Sequence, residues 1–209
     1  MIDLAVAIEQ DFGVVSGSNV CAKEAQLSGG WSCFRPRGDQ YHGTATDKKL
    51  PTVVAIGTTR LVAAADYDFD GFTLGARVGW AFRGLGPTSD AETPVIPVDV
   101  AARARLVLLR SPVRVDLLAV FGMRQVDLRV KQSIIEDRSV PPSAYQLDNP
   151  DQQTLMAFKR LGFGFVGVGP SVSYPLGPRS ALRFELPLSL SFPSTGFAFS
   201  PSLAWVVTP

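Results

Sequence analysis

Hydrophobic and polar residues alternate strictly along residues 72–83, which read FTLGARVGWAFR. A period of two predicts a β-strand with one apolar face and one face of small or charged groups. The segment is longer than the usual ~5–6 residues and has about the length, roughly 9–11 residues, that a tilted transmembrane strand needs. The question is whether it belongs to a soluble β-protein or to a barrel in a membrane.

The same alternation recurs along the chain and predicts eight strands. The parity of the apolar residues changes near Gln125, which predicts either a bulge or a strand that leaves the packed region. A second change of parity is predicted near Phe165 and Val166. The eight predicted strands are Ile2–Phe12, Val53–Tyr67, Phe72–Arg83, Val98–Leu108, Arg114–Val130, Leu161–Tyr174, Leu182–Phe192 and Phe197–Val207.

The connections between these strands alternate in length. Longer loops are predicted at about 13–51, 84–97 and 131–159, and tight turns at 68–71, 110–113 and 177–180, with a further tight turn at 193–196 closing the last hairpin. Such alternation is typical of an up-and-down barrel whose two ends face different environments. The prediction is an all-β fold with a single domain over residues 1–209. It is an eight-stranded antiparallel up-and-down transmembrane β-barrel, closed by strand eight on strand one, with the longer loops extracellular.

Charged residues on the polar parity indicate which face would point inward. Facing lipid, each arginine would cost about 2–4 kcal/mol at the bilayer midplane, and six would exceed a typical net stability of ~5–15 kcal/mol. An eight-stranded barrel has an interior that side chains just fill, and arginine pairs well with carboxylates there. All five lysines lie outside the predicted strand cores. The predicted interior charged network is Asp3, Glu9, Arg60, Asp66, Arg77, Asp99, Arg103, Arg105, Asp116, Arg124, Arg183 and Glu185.

Aromatic residues concentrate at the two ends of the predicted strands. A bilayer selects such residues at both of its interfaces. The general preference of aromatic residues for strands does not explain two separate levels. The predicted aromatic girdle comprises Tyr67, Phe72, Tyr174 and Trp205 at the short-turn end and Trp80, Phe82, Phe192 and Phe197 at the long-loop end.

Composition narrows the class of protein further. The sequence contains no run of 18 apolar residues, so no transmembrane helix is predicted. A net charge of +1 gives no reason to expect nucleic acid as a partner. No signal peptide is visible after Met1, so an exported protein would be represented here by a mature or trimmed form. Cys21 and Cys33 stand twelve positions apart, which favours a disulfide in a surface loop and an oxidising compartment over two free thiols.

Three segments carry a resemblance to a known family. They are FTLGARVGWAF (72–82), GDQYHGTATD (38–47) and PSTGFAFSPSLA (193–204). The chain resembles small outer-membrane β-barrels of the OmpA/OmpX type and, more narrowly, outer-membrane β-barrel domains of delta-proteobacteria. The resemblance covers nearly the whole chain, and its motifs are architectural rather than catalytic.

This resemblance implies a monomer in the outer membrane of a Gram-negative bacterium, with the lipid bilayer and the outer-membrane insertion machinery as partners. The last strand of such families ends in an aromatic residue, whereas this chain ends in WVVTP (205–209). The true C-terminus and the insertion signal are therefore open. Relatives carry such a barrel after a periplasmic domain, so the chain is expected to be either a whole protein or an excised domain.

Little in the sequence points to chemistry. His42, the only histidine, stands in the first long loop, where no predicted strand would hold a catalytic group in position. Asp39 and Asp47 are weak candidates for a metal, because the loop lacks the spacing of a calcium-binding EF-hand. No enzyme activity and no cofactor are predicted.

The function expected is a structural or anchoring outer-membrane barrel, or one with a narrow, porin-like pore, filled by a polar charged network. One alternative is a loop-based module on the barrel that binds a partner or an ion. The other is a soluble, lipocalin-like barrel whose apolar face points inward to a ligand.

Overall fold

The computed structural model describes residues 1–42, 45–47, 50–87, 95–136 and 152–209. Within these ranges the chain forms one short helix, α1 (Lys23–Leu27), and no helix long and apolar enough to cross a membrane. The strands are β1 (Ile2–Gly17), β2 (Trp31–Phe34), β3 (Ala45–Asp47), β4 (Leu50–Asp68), β5 (Phe72–Arg83), β6 (Val98–Arg110), β7 (Arg114–Met123), β8 (Asp127–Glu136), β9 (Gln152–Arg160), β10 (Gly164–Gly177), β11 (Ser180–Glu185), β12 (Leu188–Phe192), β13 (Gly196–Phe199) and β14 (Ser202–Val207).

The antiparallel pairings among the described strands close a ring. It runs through β1, β4, β5, β6, β7 and β10, then through β11 with β12 and through β14 with β13, and returns to β1. Leu4 of β1 faces Ala65 of β4 on one side and Val207 of β14 on the other. The predicted all-β antiparallel up-and-down barrel is therefore confirmed, including the pairing of its last strand with its first.

Prolines divide the last two predicted strands into pairs. Pro187 separates β11 from β12, and Pro201 separates β13 from β14, because proline has no N–H to donate to the ladder. The register of β10 with its neighbour is the same on both sides of Pro187, with Ser171 opposite Glu185 and Val168 opposite Leu188. Each pair thus occupies one strand position of the ring.

The ring has a turn end and a loop end. The tight connections near residues 69–71, 111–113 and 178–179 define the turn end. Both chain ends lie there, since the Met1 amino group contacts the Asp68 carbonyl and the Thr208 N–H donates to Arg179. The opposite end carries the described parts of the longer connections, at residues 18–42, 45–47, 84–87, 95–97, 124–136 and 152–163, and the turn at 193–195.

At the loop end the structure contains more strand than the sequence predicted. β1 and β4 extend past the ring, and β8, β9, β2 and β3 form further ladders inside the segments predicted as loops 13–51 and 131–159. The predicted strand Arg114–Val130 is really two strands, β7 and β8. The change of parity at Gln125 marks this division.

A hydrophobic core explains that change of parity. In β7 Leu117, Phe121 and Met123 are exposed on the outer face, although Leu118 and Val120 are buried. In β8 the apolar residues Leu128, Val130 and Ile134 face inward instead. They pack with residues of β1, β2, β4 and β9 in a cluster that also includes Val15 and Leu155. Apolar residues in this part of the chain stabilise a conventional core, which lies over the loop end of the ring.

Candidate functional site: the charged lumen and the apolar outer face

The barrel has its apolar parity outside and its charged parity inside. In β5 the Val78 side chain is 54% exposed, while the neighbouring Arg77 is only 6% exposed. The same contrast separates Leu61 from Arg60 in β4 and Phe184 from Arg183 in β11. This is the opposite of the soluble, lipocalin-like alternative, which required the apolar face to point inward.

The eight predicted girdle residues all lie on the outer face. At the turn end Tyr67 and Phe72 contact Phe69, with ring centroids 4.6 and 4.8 Å from its own. At the loop end Trp80 and Phe82 are 58% and 59% exposed. The outer face therefore has an aromatic group near each end of the ring. The exposed girdle residues are Tyr67, Phe72, Trp80, Phe82, Tyr174, Phe192, Phe197 and Trp205.

The half of the lumen nearer the loop end is organised around Glu9. This carboxylate is almost fully buried and accepts from the guanidinium groups of Arg60 at 3.0 Å, Arg77 at 2.6 Å and Arg124 at 3.0 Å. These side chains come from four different strand positions of the ring. A single acidic group thus ties opposite walls of the barrel together.

Two further carboxylates and one aromatic ring complete this upper cluster. Asp11 pairs with Arg60 at 2.8 Å, and Asp99 pairs with Arg77 at 2.8 Å. The cluster therefore holds three arginines and three carboxylates. The buried ring of Phe165 lies 4.2 Å from the Arg124 guanidinium carbon, a distance at which a cation is attracted to the face of the ring.

The half of the lumen nearer the turn end is organised around Asp66. Its carboxylate lies 3.1 Å from Arg103, 2.9 Å from Arg105 and 3.1 Å from Arg183. Arg103 also contacts Glu185. Buried charges of this kind are tolerated only when they are paired, because desolvation costs several kcal/mol per ion.

Outer members of this lower cluster connect it to the turn end. Asp3 pairs with Arg183 at 3.4 Å, and Asp116 pairs with Arg114 at 2.8 Å. Arg114 also reaches Asp68, 2.5 Å away, in the last position of β4. Pairing therefore continues from the lumen to the solvent at the turn end.

The structure brings all twelve predicted lumen residues together inside the ring, in these two clusters. It adds members that are absent from the predicted network, among them Asp11 and Phe165. Asp11 continues the inward parity of Glu9 by one step, so the signal was present in the sequence. The sequence pattern predicts a change of parity at Phe165, but the alternation of burial along β10 is regular and places this aromatic ring inside.

Very little space remains between the two clusters. The cavity bounded by Glu9, Arg77, Arg103, Arg183 and Glu185 has a volume of about 10 Å³. A cavity needs roughly 10–15 Å³ of such volume to hold one water molecule. Side chains of the barrel itself therefore occupy nearly all of the lumen between the two clusters.

The loop end carries a second polar group above the upper cluster. Asp127 pairs with Arg160 at 3.0 Å and accepts from the backbone N–H of Gly86 at 2.7 Å. Gln125 donates to Asp127 and accepts from the N–H of Ile96. These bonds fix the connections around residues 86 and 96 to the start of β8.

The disulfide predicted between Cys21 and Cys33 is present. It joins the segment before α1 to β2. Gln26 of α1 donates to the carbonyls of Cys21 and Tyr41, each at 2.9 Å. The covalent and hydrogen bonds hold α1 against β2, which is itself paired with β9.

The candidates for chemistry remain scattered. His42 is exposed at the loop end, and Asp39 is exposed in the same segment. The side chain of Asp47 lies outside the described residues. Over the described part of the chain, no group of three or more His, Cys, Asp or Glu side chains could hold a metal ion.

Comparisons with known proteins concern the shape of the chain. The crystal structure of Neisserial surface protein A matches 99% of this chain and 96% of its own, at 12% identity and a TM-score of 0.48. The N-terminal β-barrel domain of Pseudomonas aeruginosa OprF matches 97% of this chain and 96% of its own, at 9% identity and a TM-score of 0.38. Ail, the attachment invasion locus protein of Yersinia pestis, matches 98% of this chain and 97% of its own, at 8% identity and a TM-score of 0.39.

These solved structures are small outer-membrane β-barrels, the class of protein named by the resemblance in the sequence. No protein-family profile matches the chain, and no curated protein matches it. The narrower resemblance to delta-proteobacterial barrel domains therefore stays a prediction.

Proposed function

We propose that the chain is a transmembrane barrel of the bacterial outer membrane with a structural or anchoring role. The observation that carries this proposal is the outward apolar face of the ring, with aromatic residues near both ends. A barrel hydrogen-bonded all the way round satisfies its backbone without water, which is the requirement for crossing lipid with strands. The proposal includes a monomeric state, since the closed ring offers no free strand edge. It also includes the outer-membrane insertion machinery as a partner.

The lumen supports an anchoring role rather than an open pore. The Glu9 and Asp66 clusters fill the ring, and the hydrophobic core with Leu128 lies over the loop end. In the proposed orientation the turn end faces the periplasm, and α1, β2, β3, β8 and β9 face the outside.

Planar-bilayer recording tests the closed lumen. The folded chain is expected to give no steady conductance of the kind that a water-filled porin gives. Insertion is verified in vesicles of the same lipid by protease protection of β-strands and by a shift in gel mobility on heating. Stable conductance from inserted, correctly folded protein would contradict the closed lumen and leave the barrel assignment intact.

A second candidate function is a binding module at the loop end, where it would recognise a partner or an ion. The observation that favours it is the organised sheet of β2, β8 and β9, which the disulfide and the hydrophobic core hold beyond the ring. Its ion-binding form is tested by adding calcium to the folded chain and measuring thermal unfolding. Stabilisation that Asp39→Asn removes would support it, and no stabilisation would exclude calcium as the ion.

A further inference from the structure

A cavity of about 390 Å³ lies at the loop end, between α1, β2 and the connection from β12 to β13. Its volume falls within the range of roughly 300–1,000 Å³ that is typical of ligand pockets. The cavity is separate from the filled lumen. Its apolar lining consists of Leu27, Trp31, Ile96, Leu161, Phe163 and Pro193.

One side of this cavity adjoins the aromatic girdle at the loop end of the barrel. Pro193 follows Phe192, a girdle residue that is 42% exposed on the outer face. Gly162 packs against the backbone of Phe192 so closely that an added Cβ would come within 2.3 Å of it. A hydrocarbon chain in the cavity would therefore lie beside the apolar surface of the barrel.

Lys159 places a positive charge beside this cavity, next to Trp31 of its wall. Its Nζ lies 5.5 Å from the centre of the Trp31 ring and donates to the Gly29 carbonyl. Within the described part of the chain no carboxylate pairs with this ammonium, whereas the adjacent Arg160 pairs with Asp127. Burial lowers the pKa of Lys159, as expected for an ammonium partly removed from water without an opposite charge.

Gly30 lies between Lys159 and Ser194 on the cavity wall. A Cβ at this position would lie 3.1 Å from the Arg160 carbonyl oxygen, 3.6 Å from Lys159 Nζ and 3.6 Å from Ser194 Oγ. The φ angle of Gly30 is +68°, a conformation that suits glycine. The ammonium and the hydroxyl thus approach one point on the cavity wall from two sides.

We propose that this cavity binds a single-chain anionic amphiphile. The hydrocarbon chain packs against Trp31, Leu161 and Phe163, and the anionic head accepts hydrogen bonds from Lys159 and Ser194. An apolar wall beside a cation that no carboxylate of the described residues neutralises favours this chemistry, because a neutral ligand would supply no counter-charge to the ammonium.

Fluorescence quenching tests this proposal on the full chain. Trp80→Phe and Trp205→Phe remove the lipid-facing tryptophans and leave Trp31 as the reporter. The variant is folded into phosphatidylcholine vesicles and titrated with bromine-tagged dodecanoate. Saturable quenching of Trp31 is expected, with binding about tenfold tighter than that of the matched bromine-tagged alcohol.

Matched variants separate the cavity from general partitioning into lipid. In the same background, Lys159→Gln is expected to weaken binding of the acid about tenfold, and Ser194→Phe, which places a ring at the cavity wall, to abolish it. Lys131→Gln removes an exposed lysine of β8 and should leave affinity unchanged. Heat-modifiable gel mobility verifies that each variant is folded.

Two results would overturn the proposal: quenching that rises without saturation, or equal affinity for acid and alcohol in folded protein. Neither result bears on membrane insertion, which is measured separately by the quenching of Trp80 with brominated lipids.

Discussion

At the scale of single residues, Glu9 is the group whose removal should disturb the lumen most. Three arginines share this carboxylate, and all four side chains are buried. Glu9→Gln keeps the shape of the side chain but removes the negative charge. Unpaired buried charges typically destabilise a fold by about 3–5 kcal/mol. We expect a loss of that order in the free energy of unfolding, measured by urea titration of the barrel in lipid vesicles.

An ion pair at the turn end provides the matched control. Asp70 pairs with Arg110 at 3.0 Å, but its side chain is 96% exposed, and such surface pairs contribute little. Asp70 has a φ of +69°, which asparagine also tolerates. Asp70→Asn should therefore leave the free energy of unfolding unchanged. Equal effects of the two substitutions would contradict the importance of the Glu9 cluster.

Charged residues of the lumen could be predicted because period-two alternation fixes the face of every second side chain. The sequence could not specify partners, since these depend on which strand positions lie across the lumen from one another. Phe165 shows a second limit. An aromatic residue on the inward parity looks like a change of register until the neighbouring guanidinium of Arg124 is known.

At the scale of one strand, β5 tests where the apolar surface is deepest in lipid. Val78 and Phe82 both point outward, but Val78 lies nearer the middle of the strand and Phe82 at its loop end. Arginine costs about 2–4 kcal/mol at the bilayer midplane and about 0–1 kcal/mol near the interface. Val78→Arg should therefore lower the free energy of unfolding in vesicles much more than Phe82→Arg. An equal cost at the two positions would contradict the proposed depth of β5.

The elements at the loop end depend on their own covalent link. The disulfide between Cys21 and Cys33 closes a short loop that contains α1, and a loop of about 15 residues is stabilised by about 3 kcal/mol. The Cys21→Ser, Cys33→Ser double variant should expose residues 18–42 to added protease while the ring stays folded. The wild-type chain with and without reductant is the control. Loss of the whole barrel in the double variant would show that this link stabilises more than the loop end.

The strands of the ring could be predicted from alternation, whereas β2, β3, β8 and β9 could not. Apolar residues of β2, β8 and β9, such as Trp31, Leu128 and Leu155, face an inward core instead of the outer surface, so the apolar parity changes although no turn residue marks the change. Gln125 was the one visible mark of this change. Prolines 187 and 201 each divide one predicted strand into two, because proline has no N–H to donate to the ladder. The sequence alone could not show that the register continues past Pro187.

At the scale of the whole molecule, the barrel combines a closed ring of strands, a lumen occupied by charged side chains and an apolar face that points outward. The ring and the orientation of its faces could be argued from the sequence because alternation, turn spacing and charge balance all agree. The hydrophobic core over the loop end could not, because it is built from segments far apart in the chain, such as Val15, Leu128 and Leu155. Together these features support the proposed anchor, with an organised surface at the loop end.

Quenching of tryptophan by brominated lipids tests the central claim, that the apolar face contacts a bilayer. Trp31→Phe with Trp205→Phe leaves Trp80, which is 58% exposed at the loop end of β5. After folding into vesicles, Trp80 should be quenched strongly by lipids brominated near the head group and weakly by lipids brominated near the chain end. Absence of quenching in protein that is folded and bound to the vesicles would contradict the account.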